Sequence, residues 1–186
     1  MFPFPTTEVT PNKAEFDLKL EPISDPAQAL KFLCGVDFDP KYSDWSHRIP
    51  SFIETYAGSW RMLKIQDRSG VDCGFCLMSD SPEKLAAWSR KFTSAGWIRQ
   101  PIDVRSSTQF AYFYIFPTKR GGGRGTKALE LIKRQEKDRG KKTIFGFSRY
   151  PEVIPLYQKT GAVILNQEKK GDEVRSYYYW DLTAEV

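Results

Sequence analysis

Between Ile115 and Leu129 the chain reads IFPTKRGGGRGTKAL, and no other stretch constrains the fold as much. The aromatic run QFAYFYIF (109–116) leads into it, and a helical pattern with Ala128, Leu131 and Ile132 on one side follows. An unbroken apolar run of this kind marks a central strand covered on both faces, and the later spacing predicts a helix of about four turns over Thr126 to Arg139. The glycines therefore join a buried strand to a helix. Such a turn leaves the first helical N–H groups unpaired while the helix dipole adds positive potential, which suits it to phosphates. Four glycines are costly in entropy unless their backbone freedom is used.

Charge follows the same segment. The 186 residues carry a formal +5. Ten basic and three acidic residues fall between Thr118 and Lys142, a local +7, which leaves 18 basic and 20 acidic residues elsewhere, or −2. The partner is thus a polyanion met at one place: a nucleic acid, or the phosphates of a cofactor. The cations at 133–142 read as a solvated helix face. The length fits one domain, 1–186, and 40% hydrophobic with 15% aromatic residues excludes a disordered chain. No apolar run approaches the roughly 18 residues of a membrane span. MFPFPTTEVTPNK, with no charged n-region and no apolar stretch, reads as an extended arm over 1–14 and not as a secretory signal.

Three cysteines are too few for a disulfide scaffold and fit a reducing cytoplasm. Cys73 and Cys76 form a C-x-x-C that could be combined on paper with Cys34 and the sole histidine, His47, into a zinc site. VDCGFCLM reads as a strand, in which a spacing of three puts the two sulfurs on opposite faces. No metal is expected, and the cysteines are read as small buried hydrophobes.

The remaining elements follow from periodicity and punctuation. EFDLKLEPI (15–23) alternates Phe16, Leu18 and Leu20 as a half-buried strand, and Asp25-Pro26 opens a helix. An irregular segment follows, after which Ser51 and Glu54 form a capping box for a short helix to Tyr56. WRMLKIQ and VDCGFCLM flank DRSG as a hairpin. Ser81-Pro82 starts a helix with Leu85, Trp88 and Phe92 inward, closed by Gly96. TIFGFSR, PEVIPLYQKTG, AVILNQ and SYYYWDL supply a strand, a helix and two strands. The order is β, α, α, β, β, α, β, α, β, α, β, β.

Spacing distinguishes between phosphate loops. A Walker A loop needs Gly-Lys-Ser/Thr, which is missing, and the glycines at 121, 122, 123 and 125 do not fit G-x-G-x-x-G. R-x-x-G-x-G does fit, as Arg120, Gly123 and Gly125, and about thirty residues on comes PLYQKTGAV with Tyr157 and Gly161. With these two segments the chain resembles the GCN5-related N-acetyltransferase (GNAT) superfamily, whose pyrophosphate loop is (Q/R)-x-x-G-x-(G/A) and whose later "fYeklGF" segment matches PLYQKTGAV. The resemblance covers roughly residues 110–165.

The resemblance implies an α+β fold with a mixed, mostly antiparallel sheet of six to seven strands flanked by helices, and residues 81–108 as a helical insertion between the third and fourth strands. It implies an acetyl-CoA-dependent N-acyltransferase that moves an acetyl group directly to an amine in a ternary complex. Acetyl-CoA would lie along Ile115 and Phe116, with its pyrophosphate on the N–H groups from Arg120 through Gly121, Gly122, Gly123, Arg124 and Gly125 to Thr126. Tyr157 would protonate the leaving thiolate, and a backbone N–H near Ile115 would stabilise the oxyanion. The sequence departs from the family in two places: Tyr150 stands where an Asn is common, and the fourth strand offers Tyr112 and Tyr114 in place of a basic Glu. Ser148, Glu54, Asp37, Asp39 and a water relay remain as candidates for the base. Asp37, Asp39 and Asp44 favour a cationic acceptor, which could be a small molecule, a protein or a nucleic acid, and Trp97 is placed to touch it. A homodimer is allowed for. The alternatives are a protein that binds or modifies nucleic acid through residues 118–142, and a non-catalytic CoA-binding relative.

Overall fold

The computed structural model describes residues 17–184; the arm expected over 1–14, and Phe16, lie outside them. The chain runs β1 (Leu18–Ile23), α1 (Pro26–Cys34), α2 (Trp45–Thr55), β2 (Trp60–Asp67), β3 (Asp72–Ser79), α3 (Pro82–Ser94), β4 (Ser107–Ile115), α4 (Arg124–Asp138), β5 (Thr143–Ser148), α5 (Ile154–Lys159), β6 (Val163–Lys170) and β7 (Glu173–Asp181). This is the order read from the sequence. Asp25 caps α1 by accepting from the Gln28 N–H at 3.1 Å, and Ser81 does the same for α3 through Lys84 N–H at 3.3 Å.

The seven strands form one sheet in the order β1-β2-β3-β4-β5-β7-β6, antiparallel except for β4 and β5. The aromatic strand β4 is in the middle, as its composition requires. One face carries α1 and α2 over Met62, Phe75, Leu77 and Tyr114. The other carries α4 and α5 over Leu63, Cys76, Met78 and Phe110. Helix α3 covers β5 and β7 through Trp88 and Phe92 against Phe145 and Tyr177. No helix among the described residues is long and apolar enough to cross a membrane.

Two features of the sheet create space at its centre. β4 pairs with β5 only from Ser107–Phe110 to Thr143–Gly146, and beyond that rung the two strands part. On the other side of β4, Leu77 faces Tyr112 and Met78 faces Phe110, so Ala111 is a bulge that bends the strand. Gly146 stands at the point of divergence because a Cβ there would meet the Tyr178 ring at 2.6 Å.

Three local expectations need correction. α2 begins at Trp45, not Ser51, because Trp45, Ile49 and Ile53 repeat every four residues and are buried. That apolar stripe outweighs the backbone bond lost at Pro50 inside the helix. α4 begins at Arg124, two residues before Thr126, because Gly123 takes φ 81° and closes the turn earlier. Cys73 and Cys76 are not on opposite faces. Cys73 is the extra residue of a bulge between β2 and β3, where Ile65 faces Gly74 and Gln66 faces Asp72. This reverses the alternation and packs Cys73 with Ile115 and Ala128 on the α4 side, where Cys76 also lies.

Candidate active site

The turn after β4 is a cradle of backbone amides. Gly121, Gly122 and Gly123 take φ of 94°, 60° and 81° in succession, a left-handed run that only glycine adopts without strain and that turns consecutive N–H groups toward one side. Among the described residues nothing accepts from the N–H groups of Gly121, Gly122, Gly123, Gly125 or Thr126, whereas Arg120 N–H donates to Pro117 C=O and Arg124 N–H to Gly121 C=O, both at 3.3 Å. The open amides thus fall within the expected stretch but leave out Arg120 and Arg124.

These two arginines hold the turn in shape. Arg120 donates from Nε to Ile115 C=O at 3.0 Å, pairs through Nη1 with Asp39 at 2.6 Å and lies 5.3 Å from the centre of the Tyr114 ring. Arg124 donates to Lys119 C=O at 2.8 Å. Phe116 N–H is taken by Cys73 C=O at 2.9 Å. Beside the turn lies a cavity of about 260 Å³ bounded by Phe113, Ile115, Gly123, Thr126 and Leu156.

A second cavity, of about 210 Å³, occupies the split between β4 and β5. Its walls are aromatic, with Trp45, Tyr112, Phe147, Tyr150, Tyr157 and Tyr178 among them. Tyr42, Phe113 and Val153 border both cavities, so the two adjoin along one track from the glycine turn into the sheet.

Tyr157 projects from α5 into this track and is 5% exposed. Its ring lies 4.9 Å from that of Tyr178 and 5.3 Å from Trp180. Burial pushes its phenol pKa well above the ordinary tyrosine value, so the group keeps its proton at neutral pH. Ser148, at the end of β5, also lines the cavity, but its Oγ accepts from Tyr150 N–H at 3.0 Å and donates to Tyr150 C=O at 3.3 Å, closing a local turn. Tyr150 Oη accepts from Trp45 Nε1 at 3.0 Å.

Other candidates lie elsewhere. Glu54 is exposed on α2 and borders neither cavity. Asp39 is engaged with Arg120, and Asp44 with Arg48 at 2.6 Å. Asp37 is exposed and offers its backbone C=O to Tyr114 Oη at 3.4 Å. His47 sits in α2 and does not line the split, but borders a surface hollow that shares Phe52, Tyr56 and Tyr112 with it. Trp97 stacks on Phe92 at 5.4 Å under α3 and does not border the split. Among the described residues no His, Asp or Glu lines either cavity. The structure adds Tyr42, Lys84 and Gln109, which sequence reasoning missed because they come from three separate elements.

The basic segment does not form a free stripe. Among the described residues, several of its cations have acidic partners: Arg120 with Asp39, Lys133 with Glu130, Arg139 with Asp80 and Glu136, and Lys141 with Asp80.

No protein-family model matches the chain, and no curated protein matches it in sequence. Solved structures do match. A Desulfovibrio desulfuricans protein described as a GNAT-family acetyltransferase superposes with a TM-score of 0.61 at 11% identity, over 89% of this chain and 99% of that one. Spermidine N-acetyltransferase from Vibrio cholerae, in complex with CoA and spermine, gives 0.59 at 12% identity over 90% and 96%. A chimera of the same enzyme gives 0.64 at 12% over 90% and 96%. The chain thus shares its overall fold with them, and that fold is the one of the GCN5-related N-acetyltransferases.

Proposed function

We propose that this protein is an acetyl-CoA-dependent N-acyltransferase that passes an acetyl group to an amine by direct attack within a ternary complex. The observation that carries this reading is the single track formed by the two cavities, with open amides at one end and an aromatic chamber at the other. A molecule with phosphates at one end, a narrow arm and a reactive group at the other has the matching shape and polarity. The V. cholerae enzyme of the same fold is a complex with CoA.

The residues present fit that cosubstrate. The amides of Gly121, Gly122, Gly123, Gly125 and Thr126 would hold the pyrophosphate, and Phe113, Ile115 and Leu156 would enclose the arm. When bound, the thioester supplies an activated carbonyl in the aromatic chamber. Tyr157 is the protonated group at that end and would donate to the departing sulfur. With its pKa raised, it acts as a strong-holding hydrogen-bond donor more than as a ready proton source.

With no carboxylate or imidazole lining the chamber among the described residues, the amine loses its proton by another route. Among the described residues the wall offers an incoming ammonium no carboxylate, so desolvation there favours the neutral, nucleophilic form of the amine. Water then carries the proton away, and Ser148, already used in its turn, has no part as base.

Calorimetry with acetyl-CoA, followed by a free-thiol assay against a panel of amines, tests the reading. Micromolar binding and amine-dependent thiol release are expected. No binding removes the proposal; binding without release with any amine points instead to a CoA-binding protein without turnover.

A further inference from the structure

Apart from the phenols, the ionisable side chains lining the aromatic chamber among the described residues are two cations, Lys84 and Arg149. Arg149 is matched: its Nη1 lies 3.6 Å from Asp44 and its Nε 3.2 Å from Glu173. Lys84 is not. It stands in the first turn of α3, half-buried, and no carboxylate among the described residues pairs with it; its ammonium lies 5.4 Å from the centre of the Trp88 ring, one turn along. Burial, with repulsion from Arg175 and Lys91, holds its pKa below the ordinary lysine value. An ammonium drawn from water with no counter-ion is costly, and an anion brought by a ligand offsets that cost.

Gln109 in the same wall is 4% exposed, and its side-chain Oε1 has no hydrogen-bond partner. A buried carbonyl left this way lacks a donor, which a ligand N–H supplies. The chamber thus presents a cation for an acid, an acceptor for an amine and aromatic walls for an apolar body.

We propose that the molecule received in this chamber is an amine that also carries a carboxylate, and that Lys84 binds that carboxylate. This replaces the cationic acceptor expected from Asp37, Asp39 and Asp44, none of which borders the chamber. The inference rests on the acyltransferase reading only in calling the bound molecule an acceptor.

Three amines of one shape and different charge test it: para-(aminomethyl)benzoate, benzylamine and para-xylylenediamine, titrated calorimetrically into the full chain with and without CoA. The benzoate is expected to bind about tenfold tighter than benzylamine, the scale of one charge-assisted hydrogen bond, and the diamine weakest. Lys84→Met should erase the benzoate's advantage and Lys84→Arg should keep it, with thermal unfolding showing both variants folded. Equal or tighter binding of the diamine, no heat from the benzoate, or an unchanged order in Lys84→Met overturns the proposal. If acetyl-CoA fails to bind while the benzoate still binds through Lys84, the acyltransferase reading falls and the carboxylate site stands. Turnover of the diamine ahead of the benzoate, unaltered by Lys84→Met, does the reverse.

Discussion

Tyr157 shows what a single side chain contributes and what its neighbours make of it. Its segment was legible in the sequence because the family spacing places a tyrosine and a glycine there. Its environment was not, since Phe110, Tyr178 and Trp180 reach it from β4 and β7, and only pairing brings those strands together. Tyr157→Phe removes one hydroxyl and leaves the ring packing, so turnover should fall by about 100-fold, the low end for a positioned acid, while acetyl-CoA affinity changes less than about twofold, as measured by steady-state kinetics beside calorimetry. Because burial raises its pKa, the protonated form persists through the usual assay range, and the rate should show no loss up to about pH 10 from this group. A Lys84 or a Gln109 could not be read this way. Nothing in Ser81-Pro82-Glu83-Lys84 beyond a helix start distinguishes that lysine, and its importance comes from the wall that α3 happens to complete.

The elements around the site are fastened by polar contacts that periodicity does not reveal. α4 is amphipathic by sequence, yet Glu136 on it is fully buried, where Arg61 of β2 grips it through two bonds of 2.8 and 2.9 Å and Arg139 adds a third at 2.7 Å. Glu136→Ala should lower stability by about 3 kcal/mol, since it takes from the partly buried Arg61 guanidinium its two shortest bonds and leaves it Asp80 and Thr108 at 3.4 Å; denaturant unfolding checks this. The glycine turn that α4 starts from is a separate matter. A Cβ at Gly121 or Gly123 meets nothing within 4 Å, so only the positive φ resists substitution there. Gly121→Ala should therefore cost about 1 kcal/mol. Gly123→Glu adds a carboxylate facing the same amides and should abolish acetyl-CoA binding in calorimetry while the fold survives. The start of α2 was misread for a related reason: Ser51 and Glu54 match a capping box locally, but the buried stripe of Trp45, Ile49 and Ile53 decides where the helix begins.

At the scale of the whole molecule, the order of elements, the central place of β4 and the glycine turn between β4 and α4 could be read from composition and spacing, since each depends on local pattern. The bulges at Cys73 and Ala111 could not, because a bulge is a relation between strands. One consequence is global. Tyr157 and Tyr178 are both buried with pKa values raised above the unfolded value. Their contribution is complete below about pH 10, where both states hold the proton, and is lost as pH rises and the unfolded chain alone ionises. Above that point stability should fall by about 1.4 kcal/mol per pH unit for each group. Thermal unfolding from pH 8 to 11 tests this, and Tyr178→Phe should flatten the decline.

The parting of β4 from β5 has a mechanical meaning as well. Four rungs are all that join a half-sheet of β1 to β4 to a half-sheet of β5, β7 and β6. A molecule lying in the split touches both halves and works as a brace across the weakest seam. Amides of Phe113 to Ile115 and of β5 should then exchange with deuterium more slowly once the seam is filled, so that the protein is stiffest while it holds its charge and loosest after releasing it.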